Sequence, residues 1–557
     1  MVEYSTGLKV NGINDNQMKE VPVGEFKVLL SRINGQIYAT GTKCTHYGAP
    51  LRTGVLASDG RLTCPWHAAC FNVTTGDIED APGLDSLQKY KVNIKNDEIF
   101  VEADEIALKS GRKPPKCSLE APPSNETTLL IIGGGAAGNA AAEKARNDGF
   151  TGKIIIVSRE SYLPIDRPKL SKALGMNVEK IALRSKSFYD DLFISLKLGT
   201  SATALDPVSK IVTLDNNEKI KYDSLIIATG ASPRAIPIPG INLQNIFYLR
   251  AFDDHKNIDN AIGKEEKKNL VVIGSSFIGM EVASIAAKRA NVSVIGMEKV
   301  PFERVLGLEI GGALKKLHEK NGIKFYLETG VNSIEASESD PTKCSAVVLK
   351  DGTKIPADIV VVGAGVVPET GFLKGTPGIT LERDGSIKVA ENFKVEGLDD
   401  VYAVGDIARF PYHETGETIR IEHWTFAENT GRAAASEIVI KNQKPFKKLP
   451  YFWSAQHGKS FRYAGYASSF DDVIIDGSLD ELKFAAYYAR GEKILAVATI
   501  GKDPIASHSI ELSPLDVPLI EKRGRSASPP EHTSPDPTIP LEHLDDDDAA
   551  SRDSLSQ

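Results

Sequence analysis

"TLLIIGGGAAGNAAAEKA", residues 128–145, runs from an apolar strand through a glycine turn into an alanine-rich helix without a break. The turn has the spacing Gly-x-Gly-x-x-Gly, at Gly133, Gly135 and Gly138. Such glycines let the backbone approach a pyrophosphate, which then lies at the helix N-terminus where unsatisfied N–H groups point at it. The next strand, "KIIIVSRE" (153–160), ends in Glu160, positioned to accept hydrogen bonds from a ribose. Alone, a glycine turn is a weak sign. It gains weight here because it recurs.

"KNLVVIGSSFIGMEVASIAA" (268–287) repeats the strand, turn and helix with Gly274 and Gly279, although Ser276 replaces the middle glycine. The strand after it, "NVSVIGME" (291–298), ends in Glu298, a carboxylate suited to a ribose 2′-hydroxyl and repellent to a 2′-phosphate. NADH is therefore expected over NADPH, with Lys299 and Arg304 nearby as opposing charges. Between residues 129 and about 430, short apolar runs alternate with helical patterns, which implies parallel sheets with crossover helices.

The flanks differ. "FKVLLSRINGQIYAT" (26–40) and "YKVNIKNDEIFVEA" (90–103) read as hairpins turning at Asn-Gly and Asn-Asp. "SGRKPPKCSLEAPPSNETT" (110–128) is rich in proline, serine and lysine and reads as a linker. Strands return from "KLPYFWSAQHG", with "AAYYARGEKILAVAT" (485–499) as a further hairpin. The final stretch, from Glu521, is too polar and proline-rich to form a core and is expected to be disordered.

A chain of 557 residues predicts three or four domains, and its 41% hydrophobic content supplies them with core. The net charge of −8 and the lack of a basic stripe exclude a nucleic-acid partner. Five scattered cysteines make no disulfide scaffold and fit a reducing compartment. No apolar stretch reads as a membrane span, and the N-terminal residues read as neither signal nor transit peptide. A cytoplasmic location is the expectation, with mitochondrial association compatible.

Four potential metal ligands lie between the first two hairpins. "CTHYGAP" (44–50) carries Cys44 and His46, and "CPWHAACF" (64–71) carries Cys64 and His67. Tetrahedral zinc accepts two thiolates and two imidazoles. Yet each loop gives one of each, both set between strands, and a Rieske [2Fe–2S] centre needs that division: two thiolates on one iron, two imidazoles on the other. The run onward from Cys64, through Phe71, Thr75-Gly76 and Ala81-Pro82, resembles the Rieske family. Ala49 and Trp66 stand where the high-potential respiratory kind has an extra cysteine pair, so the resemblance is to the ferredoxin-type variety. Cys70 reads as a small buried hydrophobe.

The two dinucleotide units, "DSLIIATGASPR" (223–234), "IVVVGAGVVPET" (359–370, with Gly365) and "VYAVGDIARF" (401–410, with Asp406) together resemble the two-dinucleotide-binding FAD/NAD(P) disulfide-reductase superfamily. That resemblance implies FAD in the first unit, with Asp406 on its ribityl chain, NAD(H) in the second unit inserted into the first, and 359–370 as the returning strand and loop. No cysteine pair here has redox spacing, so flavin-to-thiol chemistry is excluded. "YLPIDRPKLSKAL" (162–174, with Arg167 and Lys172), "RIEHWTFAENTGRAAA" (420–435, with Glu422, His423 and Trp424) and "YFWSAQHG" (451–458, with Trp453) resemble the ferredoxin/rubredoxin-reductase and apoptosis-inducing-factor branch. By that resemblance, Lys172 pairs with Glu281 near flavin N5 and Trp453 packs on the isoalloxazine.

The whole is similar to apoptosis-inducing-factor-like flavoproteins with an N-terminal Rieske domain. The fold expected is α/β plus all-β: a Rieske β-domain (1–104), a linker (105–126), an FAD domain in two parts (127–234 and 361–440), an NAD(H) domain (235–360), a C-terminal β-rich α+β domain (441–515) and a disordered acidic tail (516–557). The resemblance implies an NAD(P)H-dependent FAD/[2Fe–2S] oxidoreductase that passes single electrons to an acceptor the sequence does not identify. The linker is expected to tether the cluster near the flavin without a rigid dock. A redox-gated, pro-apoptotic interaction protein and the reductase of a Rieske oxygenase system are the alternatives, and a homodimer is open.

Overall fold

The computed structural model describes residues 1–115, 126–441 and 445–511. The expected disordered tail and residues 116–125 of the expected linker lie outside these.

The N-terminal part is a six-stranded antiparallel sheet, in the order Val2–Lys9, Glu98–Ala103, Lys89–Lys95, Gln36–Thr40, Phe26–Ile33 and Met18–Val23. Both hairpins turn where expected. Asn34 (φ 49°) with Gly35 (φ 77°), and Asn96 (φ 50°) with Asp97 (φ 65°), are left-handed, as two-residue turns that match strand twist require. Val28, Leu30, Ile99 and Val101 fill the core beneath. A second, four-stranded sheet of short strands, Val55–Leu56, Arg61–Thr63, Cys70–Asn72 and Ile78–Asp80, supports the second Cys/His loop.

The expected linker begins too early. Glu105–Ser110 is a helix, capped by the Asp104 side chain accepting from Ala107 N–H and ended by Gly111 in the left-handed region. Its Leu108 enters the N-terminal core, and Arg112–Lys113 pairs with Ser86–Leu87. The signals in "DEIALKSG" are local: an acidic cap, a basic last turn and a closing glycine. The prolines just beyond it obscured them.

Two parallel five-stranded sheets form the centre. The first runs Ile194–Leu198, Lys153–Ser158, Thr128–Ile132, Ser224–Ile227, Val401–Ala403. Its last strand follows the whole second unit in sequence, so the second is an insertion. The second sheet runs Ile246–Phe247, Ile359–Val362, Asn269–Ile273, Asn291–Ile295, Lys324–Tyr326. Ile359–Val362, expected as the strand returning to the first unit, instead closes the second sheet between two of its own strands. The crossing comes just after, where Val366–Pro368 pairs antiparallel with the outgoing Ala231–Pro233. An all-apolar strand buried on both faces fits either sheet, and only register distinguishes them.

The C-terminal part is an antiparallel five-stranded sheet, Tyr451–Gln456, Lys459–Gly465, Lys493–Ile500, Lys483–Arg490, Asp472–Ser478, closed by the helix Ile505–Glu511. No helix among the described residues is long and apolar enough to cross a membrane.

Candidate redox site

The two Cys/His loops fold alike. Cys44 N–H donates to Ala49 O (2.9 Å) and Gly48 N–H to Cys44 O (3.0 Å), while Cys64 N–H donates to Ala69 O (2.9 Å) and Ala68 N–H to Cys64 O (3.2 Å). The fourth residue after each cysteine is left-handed, Gly48 at φ 79° and Ala68 at φ 59°. Ala68 holds that conformation without glycine's freedom, a strain of the kind that collects at functional sites. The loops bring the Cys44 and Cys64 thiols into contact and set His46 Nδ1 3.1 Å from His67 Nδ1. Burial, helped by the Lys169 charge, lowers the His46 pKa to about 3, and burial also holds His67 well below its usual value. Both rings are thus neutral, the form that ligates.

These donors fit a binuclear cluster. They come as a facing thiol pair and a facing imidazole pair, and among the described residues no three His, Cys, Asp or Glu side chains are placed to hold a single ion. One zinc needs its donors to converge; two irons bridged by sulfide need one pair each. Cys70 is buried and its thiol is raised by burial, as a packing residue's is.

Beside the loops lies a cavity of about 830 Å³ between the parallel sheets and the C-terminal sheet. Its glycines fit a dinucleotide. A Cβ on Gly138 would lie 1.9 Å from Gly133 O, and one on Gly133 (φ 115°) 2.2 Å from Ala228 O, so strand, turn and helix meet only without side chains. A Cβ on Gly135 would meet no protein atom within 4 Å and would stand in the cradle itself. Glu160 lines the wall, gripped by Arg167 at 2.8 and 2.9 Å. Burial works to raise its pKa, but the guanidinium outweighs this and keeps the carboxyl below its ordinary value. Asp406 accepts from Arg250 (3.1 Å), and Glu422 pairs with Arg420. His423, Trp424 and Gly365 complete the wall. The buried His423 Nδ1 has no partner in the protein, an orphaned group that a bound cofactor can satisfy.

The second turn repeats the first. A Cβ on Gly274 (φ 110°) would lie 2.3 Å from Gly363 O, and one on Gly279 2.5 Å from Gly274 O. Glu298 pairs with Arg304 (3.0 Å) and accepts from Ser275 Oγ (3.3 Å). None of Gly274, Gly279 and Glu298 lines the large cavity; Ser276, Phe277 and Glu281 from the same unit do. At that end Lys172 Nζ lies 2.9 Å from Glu281 Oε2, and Glu281 also accepts from Ser171 and from Ser454 Oγ (2.6 Å).

One strand joins the two sites. Along Tyr451–Gln456 the odd positions face the cluster loops: Tyr451 Oη donates to Trp66 O (3.1 Å), and the Trp453 ring lies 4.2 Å from that of His67 and 5.4 Å from that of His46. The even positions face the second unit, with Phe452 on Phe277, Ser454 on Glu281 and Gln456 on His318. Trp453 also lines the dinucleotide cavity.

The expected loose tether gives way to a built dock. Arg184 ties Asp85 of the N-terminal part (2.6 Å) to Glu143 of the first unit (2.8 Å), and Lys448 holds Asp80 (2.6 Å). Tyr47 Oη donates to Asp166 (2.6 Å), Arg462 Nε to Trp66 O (2.9 Å) and Ser507 Oγ to Cys64 O (2.9 Å). Asn429 Oδ1 accepts from Ala81 N–H (3.0 Å). No motif announced these residues, because each is an ordinary polar side chain until the two parts meet.

Residues 127–431 match the pyridine nucleotide-disulphide oxidoreductase family, 6–91 the Rieske [2Fe-2S] domain and 451–512 the reductase C-terminal family. The chain belongs to the pyridine nucleotide-disulphide oxidoreductase family. Within it, the protein is an apoptosis-inducing-factor-like Rieske flavoprotein of the ferredoxin-reductase branch, an FAD-dependent NAD(P)H oxidoreductase. Apoptosis-inducing factor 3 of Homo sapiens is 41% identical over 509 residues, covering 90% of this chain and 82% of that protein. Rhodocoxin reductase of Rhodococcus erythropolis is 33% identical over 378 residues, covering 66% of this chain and 86% of its own. Among solved structures, the covalent putidaredoxin reductase–putidaredoxin complex matches with a TM-score of 0.66 at 30% identity, over 70% of this chain and 93% of that one. FAD and a Rieske [2Fe–2S] cluster are the cofactors of this flavoprotein.

Proposed function

We propose that this flavoprotein oxidises NADH and passes the electrons through its own Rieske domain to a separate one-electron acceptor. The observation that carries the reading is Trp453, one ring that lines the dinucleotide cavity and packs on His67 at 4.2 Å. Bound in these sites, FAD takes up an electron pair as hydride and gives electrons up singly, while the cluster takes one at a time.

The chain's own residues hold and orient. The helix Ala136–Asn147 offers its N-terminus to a pyrophosphate, and Gly135 leaves room for it. Glu160, paired with Arg167, would hold the first ribose, Asp406, paired with Arg250, the ribityl chain, and Glu298, paired with Arg304, the ribose of NADH. Lys172 and Glu281 bring a compensated charge pair to the nicotinamide end, where either charge alone would be costly to bury. Putidaredoxin reductase was solved in a covalent complex with putidaredoxin; in this chain the Rieske [2Fe-2S] domain belongs to the same polypeptide as the reductase. Few, scattered cysteines support a reducing, cytoplasmic setting.

Anaerobic titration with NADH, followed by optical and EPR spectroscopy, tests the reading. Both cofactors are expected to reduce in the wild type, and in Cys64→Ser only the flavin. Flavin bleaching with an unchanged cluster signal in the wild type would reject it.

A further inference from the structure

Behind Glu281 runs a chain of side chains that the redox reading does not use. Ser454 Oγ donates to Glu281 Oε1 (2.6 Å), Gln456 Nε2 donates to Ser454 Oγ (2.9 Å), His318 Nε2 lies 2.8 Å from Gln456 Oε1, and His457 Nε2 lies 3.0 Å from His318 Nδ1. Ser454, Gln456 and His318 are buried, whereas His457 is half-buried at the surface.

The chain has a single direction. An ionised Glu281 only accepts, so Ser454 donates to it and accepts from the Gln456 amide. The Gln456 carbonyl then faces His318, whose Nε2 carries the hydrogen and whose Nδ1 accepts from His457. A proton placed on Glu281 Oε1 reverses every bond together. Since an amide nitrogen does not accept, the Gln456 amide then turns over to set its carbonyl toward Ser454 and its nitrogen toward His318 Nε2, with the hydrogen of His318 on Nδ1. Burial, partly opposed by the Gln456 hydrogen bond, keeps the His318 pKa down at about 4, so it stays neutral in either direction. The charged groups facing the two ends are Lys172 at Glu281 and Lys288 at His457.

His457 (φ 47°) and Gly458 (φ 76°) form the two-residue loop of the hairpin between Tyr451–Gln456 and Lys459–Gly465. Asn-Gly is the usual pair for such a turn, so the fold does not ask for histidine there.

We propose that Ser454, Gln456, His318 and His457 are a proton relay between Glu281 and solvent. The inference rests on Glu281 standing at the nicotinamide end of the cavity. Oxidation of NADH yields NAD⁺, two electrons and one proton, and when the electrons leave singly to the acceptor, the proton is left behind. Glu281 takes it up and passes a proton to Ser454. With its amide turned over, Gln456 accepts from Ser454 at its carbonyl and releases to His318 from its nitrogen, His318 accepts at the then bare Nε2 and releases from Nδ1, and His457 delivers a proton to solvent.

His457→Asn tests this with the turn preserved, and Ser454→Ala cuts the chain at its inner end. In the holoprotein turning over with NADH and a one-electron acceptor, the rate against pH is expected to break at the His457 titration. In His457→Asn the break is expected to disappear and turnover to fall several-fold. ¹⁵N imidazole spectra are expected to show His318 as the Nε2–H tautomer in the wild type and as a mixture in Ser454→Ala. An unchanged pH profile in His457→Asn, or an unchanged His318 tautomer in Ser454→Ala, overturns the relay. A flavin that NADH does not reduce at any pH overturns instead the placement of Glu281.

Discussion

Arg184→Ala tests whether the docked arrangement is the one in which electrons pass. Its guanidinium is 9% exposed and sits between two carboxylates that are themselves 5% and 10% exposed, Asp85 at 2.6 Å and Glu143 at 2.8 Å. It also donates to Leu84 O at 2.7 Å and a second time to Glu143 at 3.1 Å, so four bonds would be lost at once. Removing one partner from a buried ionic group leaves uncompensated charge behind and costs about 3–5 kcal/mol. At 1.4 kcal/mol per factor of ten, the docking equilibrium shifts between roughly a hundred-fold and several thousand-fold toward separation. Solvent screening takes little from this, since all three side chains are shielded. Stopped-flow mixing with NADH separates the steps: flavin bleaching is expected at the wild-type rate, and cluster reduction is expected to lag behind it. Small-angle scattering is expected to show a more extended molecule. Asp85→Asn, the weaker lesion on the other side, is expected to give a smaller lag of the same kind. If Arg184→Ala retains both cofactors and its cluster is still reduced as fast as in the wild type, the dock is not the transfer geometry.

Trp453→Ala removes the ring between cavity and His67, and cluster reduction is expected to slow at least tenfold while flavin reduction by NADH persists, as followed by stopped-flow absorbance. Gly138→Ala forces a Cβ to within 1.9 Å of Gly133 O, so the purified variant is expected to be depleted of FAD by absorbance at equal protein concentration. Glu298→Ala removes the carboxylate that repels a 2′-phosphate and leaves Arg304 without its partner; the NADH-over-NADPH preference in kcat/KM is expected to fall about tenfold. His318 and His423, both held down to about 4 by burial, stay neutral in the folded protein while the unfolded chain takes up protons near 6.5. Their folded pKa values are depressed, so the stability they contribute is intact above 6.5 and falls as pH drops toward 4. Denaturant unfolding is expected to lose up to about 1.4 kcal/mol per pH unit for each across that window.

The local rules of the chain carried far. Glycine turns at Gly133 and Gly274, left-handed Asn-Gly and Asn-Asp hairpins and the divided Cys/His loops each have a short-range physical cause, and each is legible in the sequence alone. Lys172 and Glu281, 109 residues apart, came together only through the resemblance, and the structure gives the pair a geometric basis at 2.9 Å. What was illegible depends on partners far along the chain. Ile359–Val362 is as apolar as a strand of either sheet, so nothing within it says which it joins. Arg184, Asp85 and Tyr47 look like solvated surface until two folded parts bury them against each other. The short helix Glu105–Ser110 was hidden for a different reason: its capping signals were present, but they adjoin a proline-rich run that dominated the reading.

The strand Tyr451–Gln456 shows why the dock and the cavity cannot be treated as separate modules. Side chains alternate along a strand with a period of two, so its odd residues necessarily face one way and its even residues the other. Here one face reads the cluster loops through Tyr451 and Trp453, and the other reads Glu281 and His318 through Ser454 and Gln456. A slip of one residue would turn Trp453 toward Glu281 and Ser454 toward His67, breaking both connections in one step. The register is held against that slip by the two-residue turn at His457–Gly458 and by pairing with Lys459–Gly465. The C-terminal sheet therefore acts as the part that fixes the distance between the dinucleotide cavity and the cluster loops. Electron exit on one face and the charge state of Glu281 on the other are tied to the same backbone.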